Sequence, residues 1–105
     1  MTFTRVCAAE ELWEGKMESF TVEGREVLVV HVEGGFQAYE GLCPHQSVPL
    51  VEGTLEGCVL TCRTHHWKFD VRTGAGINPA RARLRPLPVR VEDGQVQVGE
   101  PGEVA

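Results

Sequence analysis

Apolar and polar side chains alternate along this chain in short runs, and glycine-bearing turns cut the runs every few residues. Alternation of this kind predicts strands, because neighbouring side chains on a strand point to opposite faces. Thr2 to Val6 alternates weakly and reads as a first strand, and Ala8 to Trp13 is rich in helix formers and reads as one short helical turn ended by Gly15. Met17 to Val22 and Arg25 to Val32 are strands joined across Glu23-Gly24. The run VLVVHV in the second of them is the most apolar of the chain and predicts a central strand. Gly34-Gly35 turns the chain into Phe36–Leu42. Glu52-Gly53 and Glu56-Gly57 mark turns, Cys58–Thr61 and Trp67–Val71 read as strands, and Thr73-Gly74-Ala75-Gly76 turns again. After a loop at Asn78-Pro79, Leu84–Val91 and Gln95–Val98 form a closing hairpin across Glu92-Asp93-Gly94, with a frayed tail beyond.

Short strands with frequent glycine turns indicate an all-β antiparallel sandwich or barrel. No repeat or linker divides the chain, so residues 1–105 read as one domain, with 40–83 an insertion between strands of a base barrel. At 105 residues the core is modest, and a metal centre would add to its stability. No apolar run reaches membrane-spanning length, and the start shows no basic segment followed by an apolar one. A cytoplasmic chain with reduced thiols is the expectation. The net charge of −5 argues against nucleic acid as a partner. It is unevenly spread, with three basic residues against ten acids in 1–60 and seven against five in 61–105.

The chemistry concentrates at CPH (43–45) and CRTHHW (62–67), with sixteen residues between His45 and Cys62. Two turn-rich loops each offer one thiolate and one imidazole, enough to pinch a small metal centre between them. Iron–sulfur clusters normally take four thiolates, but in the Rieske 2Fe–2S centre two histidines replace two cysteines on one iron. Two ferric ions, two sulfides and two thiolates sum to zero charge, so this cluster accepts an electron more readily than the dianionic four-thiolate form. A zinc site is the alternative, although zinc motifs usually pair Cys with Cys and His with His. Buried core residues are the third reading. Cys7 and Cys58 read as small buried hydrophobes, and His31 as a strand residue without metal spacing. No Ser/His/Asp set, phosphate loop or paired-carboxylate motif is apparent, so the chain does not read as an enzyme.

The stretches ELWEGKMESF (11–20), CPHQ (43–46), LTCRTH (60–65), Trp67 and GINP (76–79) resemble the Rieske ferredoxins, most of all the ferredoxin components of bacterial toluene monooxygenases. Ferredoxins of arene dioxygenases tend to carry Gly where this chain has Gln46 and Trp67. His66 stands where the family has an apolar residue. The resemblance implies one 2Fe–2S cluster, with Cys43 and Cys62 on one iron and His45 and His65 on the other. It implies a monomeric carrier of single electrons from a flavin-containing NADH oxidoreductase to a di-iron hydroxylase. The alternatives are the ferredoxin of a Rieske arene dioxygenase, or an accessory subunit with a zinc site.

Around the imidazoles the sequence sets Pro44, Gln46, His66, Trp67 and Pro79, a weakly charged patch suited to a transient redox partner. Trp67 is either an exposed anchor there or a lid packed inward. Glu14, Glu18, Glu52 and Glu56 are candidates for steering if they ring that tip. High-potential members of the family carry an extra cysteine in each ligand loop and a serine near a cluster sulfur. Val48, Thr64 and Trp67 hold the corresponding positions, so a potential toward the low end of the range of about −150 to +300 mV is expected.

Overall fold

Glu23-Gly24, Glu33-Gly34 and Asp93-Gly94 place both members of each pair at positive φ, the geometry of the tight hairpin turn that matches strand twist. Each of these pairs closes a hairpin of a three-sheet fold. The computed structural model describes residues 3–43, 48–63, 66–78 and 80–99. The first sheet contains β1 (Phe3–Ala8), β10 (Val89–Glu92) and β11 (Gln95–Gly99), in the order β1-β11-β10. The second contains β2 (Lys16–Val22), β3 (Arg25–Val32), β4 (Gly35–Glu40) and β9 (Pro86–Leu87), in the order β2-β3-β4-β9. The third runs β5 (Thr54–Glu56), β6 (Val59–Thr61), β7 (Lys68–Asp70) and β8 (Ala75–Asn78), in that order. All strand pairings are antiparallel. Single 3-10 turns occupy Ala9–Glu11, where the helical turn was expected, and Leu50–Glu52.

The central strand predicted from VLVVHV is β3, and it is apolar on both faces because it separates two cores. Val27 and Val29 pack with Cys7, Leu12, Ala38, Leu87, Val96 and Val98 toward the first sheet. Leu28, Val30 and Val32 pack on the other side with Leu50, Leu60, Phe69 and the two cysteines Cys43 and Cys62. A strand covered on both faces reads as a continuous hydrophobic run. Each such buried side chain contributes roughly 1.5–3 kcal/mol.

β4 and β9 are neighbours in the second sheet, through Ala38 opposite Leu87 and Tyr39 opposite Pro86. The whole third sheet is threaded between them in sequence. Two side-chain contacts tie it back. The Tyr39 hydroxyl donates to the Val71 carbonyl at 2.7 Å. Arg72 pairs with Asp70 at 2.9 Å and reaches Glu33, in the β3–β4 turn, at 3.5 Å.

Several sequence expectations change: the turn expected at Gly34-Gly35 is Glu33-Gly34, with Gly35 already in β4, and Asn78, expected in a loop, ends β8. Ala75 and Gly76 belong to β8, opposite Asp70 and Phe69, and the reversal comes earlier, around Gly74 at φ +84. Leu84–Val91 is not one hairpin arm: β9 joins the second sheet and β10 the first. Pro86 and Pro88 have no N–H to give a ladder, so proline here fits only a sheet edge or a break between strands. Thr54–Glu56, marked only by the turns on either side, is the strand β5. Thr2 and the tail from residue 100 onward lie outside the described residues.

Candidate metal centre

Cys43 follows β4 and opens a loop; Cys62 follows β6 and opens another. The two loops close in the same way. The Cys43 N–H donates to the Val48 carbonyl at 2.9 Å, and the Cys62 N–H to the Trp67 carbonyl at 2.7 Å, five residues on in each case. The first loop is pinned at its base by the Leu42–Pro49 bridge and by the Leu50 N–H on the Gly41 carbonyl at 2.8 Å. The second joins β6 to β7. The β-register sets Thr54, Thr61, Lys68 and Asn78 in one row across the third sheet, so Cys62, Trp67 and the end of β8 share one edge of the molecule.

Both cysteines are buried, at 4% and 0% exposure, in one apolar cluster. Among the described residues no three His, Cys, Asp or Glu side chains converge as a metal site. The two histidines that the sequence pairs with these cysteines, His45 and His65, fall in the segments 44–47 and 64–65. His45, His65, Gln46 and Pro79 lie outside the described residues.

His66 is exposed and sits at φ +56, a left-handed conformation uncommon for a residue other than glycine. Trp67 is half-buried and packs against the cluster that holds the cysteines, so packing is one of its roles. Beside Cys62 a shallow depression is lined by Glu52, Glu56, Arg63, His66 and Lys68. Its charges balance, and Arg63 pairs with Glu52 at 3.2 Å. The expected acidic ring is therefore incomplete. Glu14 accepts the Gly34 N–H at the far end of β4 from Cys43, and Glu18 lines a groove with Cys7 and Leu12.

His31 stays outside the site: its Nδ1 meets the Leu12 carbonyl at 2.7 Å and its ring stacks on Phe36. Cys7 is buried in the other core, and that burial, with Glu11 nearby, pushes its thiol pKa up. Cys58 is only half-buried, next to the β5–β6 turn. Sequence reasoning missed Tyr39 as the link between the sheets, since a lone tyrosine in a strand carries no signal of a distant carbonyl partner.

Residues 2–88 match the family model of the Rieske 2Fe-2S domain. The chain belongs to the Rieske 2Fe-2S domain family. Among its Rieske relatives, the ferredoxin component of the alkene monooxygenase system of Xanthobacter autotrophicus (strain ATCC BAA-1158 / Py2) is 52% identical over 98 residues, covering 92% of this chain and 80% of the relative. The ferredoxin component of biphenyl 2,3-dioxygenase from Rhodococcus jostii (strain RHA1) is 38% identical over 105 residues, covering 99% of this chain and 98% of its own. Among solved structures, the ferredoxin of carbazole 1,9a-dioxygenase from Nocardioides aromaticivorans IC177 superposes with a TM-score of 0.85 at 31% identity, covering 94% of this chain and 98% of that one. A chain in a complex of reduced oxygenase and oxidized ferredoxin in carbazole 1,9a-dioxygenase superposes with a TM-score of 0.88, also at 31% identity, covering 98% of this chain and 97% of that one.

The cofactor of a Rieske domain is a 2Fe–2S cluster with two thiolate and two imidazole ligands. The described half of the site fits it. Two cysteines that open similarly closed loops belong to one apolar core cluster, and a cluster that is neutral when oxidised is cheaper to bury there than a dianion.

Proposed function

We propose that this chain is the ferredoxin component of a multicomponent monooxygenase, an electron carrier and not itself an enzyme. Cys43 and Cys62 bind one iron of its cluster, and His45 and His65 bind the other. The cluster supplies one-electron carriage. The protein's own residues hold it, keep water from its sulfur side and present the imidazole loops to partners. The observation that carries the reading is the pair of buried cysteines, each opening a loop closed by the same hydrogen bond, in one apolar cluster.

Residues 40–83 are the cluster-binding insertion of a single Rieske domain spanning 1–105. A flavin-containing NADH oxidoreductase is the electron donor, and a di-iron hydroxylase the acceptor. The monomeric carrier works in the cytoplasm; no helix among the described residues is long and apolar enough to cross a membrane. Identity of 52% to an alkene monooxygenase ferredoxin, against 35–38% to several dioxygenase ferredoxins, favours the monooxygenase branch.

The test is iron and sulfide analysis with a visible absorption spectrum, then reduction by the reductase and reoxidation by the oxygenase component. A coloured protein with two irons and two sulfides that passes electrons onward is expected. A colourless protein with stoichiometric zinc would sink the proposal.

A further inference from the structure

The segment 80–85, between β8 and β9, carries Arg81, Arg83 and Arg85 at every second position. From Ala82 it runs extended. Arg83 bridges to Ala75, the Leu84 N–H donates to the Gly74 carbonyl at 2.8 Å, and the Arg85 carbonyl accepts the Glu40 N–H at 2.9 Å. An extended chain sends alternate side chains to opposite sides. Here Ala82 and Leu84 enter the apolar cluster that holds Cys43 and Cys62, while all three arginines face solvent. The two buried neighbours leave Arg83 and Arg85 on the solvent side, with Arg81 exposed at the turn before them.

This ridge stands out on a chain of net charge −5. Arg85 comes only to 4.0 Å of Glu40, with its side chain 78% exposed, a contact of small energy. Arg81 and Arg83 form no ion pair with an acidic side chain among the described residues.

Its place in the fold gives it direction. The third sheet runs β5-β6-β7-β8, and the ridge flanks β8. On the β5 side, Glu52 is matched by Arg63, and Glu56 shares its depression with Lys68. The third sheet is thus balanced in charge on its β5 side and basic along its β8 edge, with Arg83 opposite Ala75 and Arg81 toward the Asn78 end that the Cys62 loop shares. A small, weakly charged redox face fixes little about how a partner is turned; a one-sided charged strip beside it does. Guanidinium forks match carboxylates in particular. The net negative charge of the whole chain repels polyanions such as nucleic acid and anionic membranes at long range, which leaves a protein with a discrete acidic patch as the fitting occupant.

We propose that Arg81, Arg83 and Arg85 seat against an acidic patch on the oxygenase component and set the orientation in which the ligand loops meet it. The proposal rests on the electron-carrier reading.

The experiment compares holo wild type with Arg81→Glu/Arg83→Glu and Arg81→Lys/Arg83→Lys, each checked for an unchanged visible spectrum and midpoint potential. Stopped-flow oxidation of the reduced ferredoxin by the oxygenase component of the same organism is followed at low and high salt, with reduction by the reductase in parallel. Association with the oxygenase should slow roughly tenfold for the glutamate pair at low salt, and the gap should close at high salt. The lysine pair and the reductase step should change little. Should the glutamate pair lose its cluster, Arg81→Gln gives the same reading at smaller amplitude. A wild-type rate for the glutamate pair overturns the proposal, and so does a loss confined to the reductase step, which would set the ridge against the reductase. A wild-type protein that passes no electrons to the oxygenase would instead overturn the carrier reading.

Discussion

Tyr39 lies on β4, just ahead of Cys43, and its hydroxyl donates to the carbonyl of Val71, a residue with no exposed surface. Burial, with Asp70 nearby, pushes the phenol pKa up to about 12 from an ordinary value of 10.0. Below about pH 10 both folded and unfolded chains keep this proton, so the group adds no pH dependence there. Between about 10 and 12 the unfolded chain ionises first, so stability falls as pH rises through that window. Tyrosinate absorbance, unambiguous because the chain has one tyrosine, should appear together with loss of the visible cluster bands. Tyr39→Phe removes the donor and leaves a buried carbonyl, which should cost about 1–3 kcal/mol in denaturant unfolding. The adjacent histidines give a second prediction. Asparagine tolerates the left-handed backbone of residue 66, so His66→Asn should keep the Rieske absorption and resonance signals. His65→Asn should abolish them; the opposite pattern would shift the ligand assignment by one residue.

The elements that carry the ligands are short, and close backbone approach holds them. Gly53 ends the 3-10 turn Leu50–Glu52, and a Cβ built on it would sit 2.1 Å from the Thr61 carbonyl oxygen, next to Cys62. Only glycine lets that turn lie against β6. Gly53→Ala should force the two segments apart and cost about 1–3 kcal/mol, as overpacked sites do. Its effect should appear as a lower midpoint for thermal loss of the visible spectrum. Unchanged midpoints would mean that the turn moves freely away from β6.

Across the whole molecule, one strand serves two cores. The core facing the first sheet contains no cysteine assigned to the cluster, whereas the core facing the third sheet includes both. The strands of the third sheet are three or four residues long, so metal binding energy becomes folding energy mainly on that side. Removing iron with a chelator, or Cys62→Ala, should lower the hydrogen-exchange protection of Leu60 and Phe69 while Val96 and Val98 keep theirs. Equal protection in the apo and holo forms at all four amides would rule out this division of labour.

The sequence by itself determined the strand rhythm, the hairpins at Glu23-Gly24 and Asp93-Gly94, the central β3 and the two loops that Cys43 and Cys62 open, because each depends on residues close together in the chain. A side-chain period of two, a residue pair able to take positive φ and a ligand spacing are all local properties. Tertiary structure decided what depends on distant partners. It split Leu84–Val91 between two sheets at the prolines, and it set the Tyr39 hydroxyl on Val71. It also turned the alternation of Arg81, Arg83 and Arg85 with Ala82 and Leu84 into a basic ridge outside and two core residues inside. Period two says that alternate residues part company; only the packing of the third sheet against the second says which of them are buried and what lies beside them.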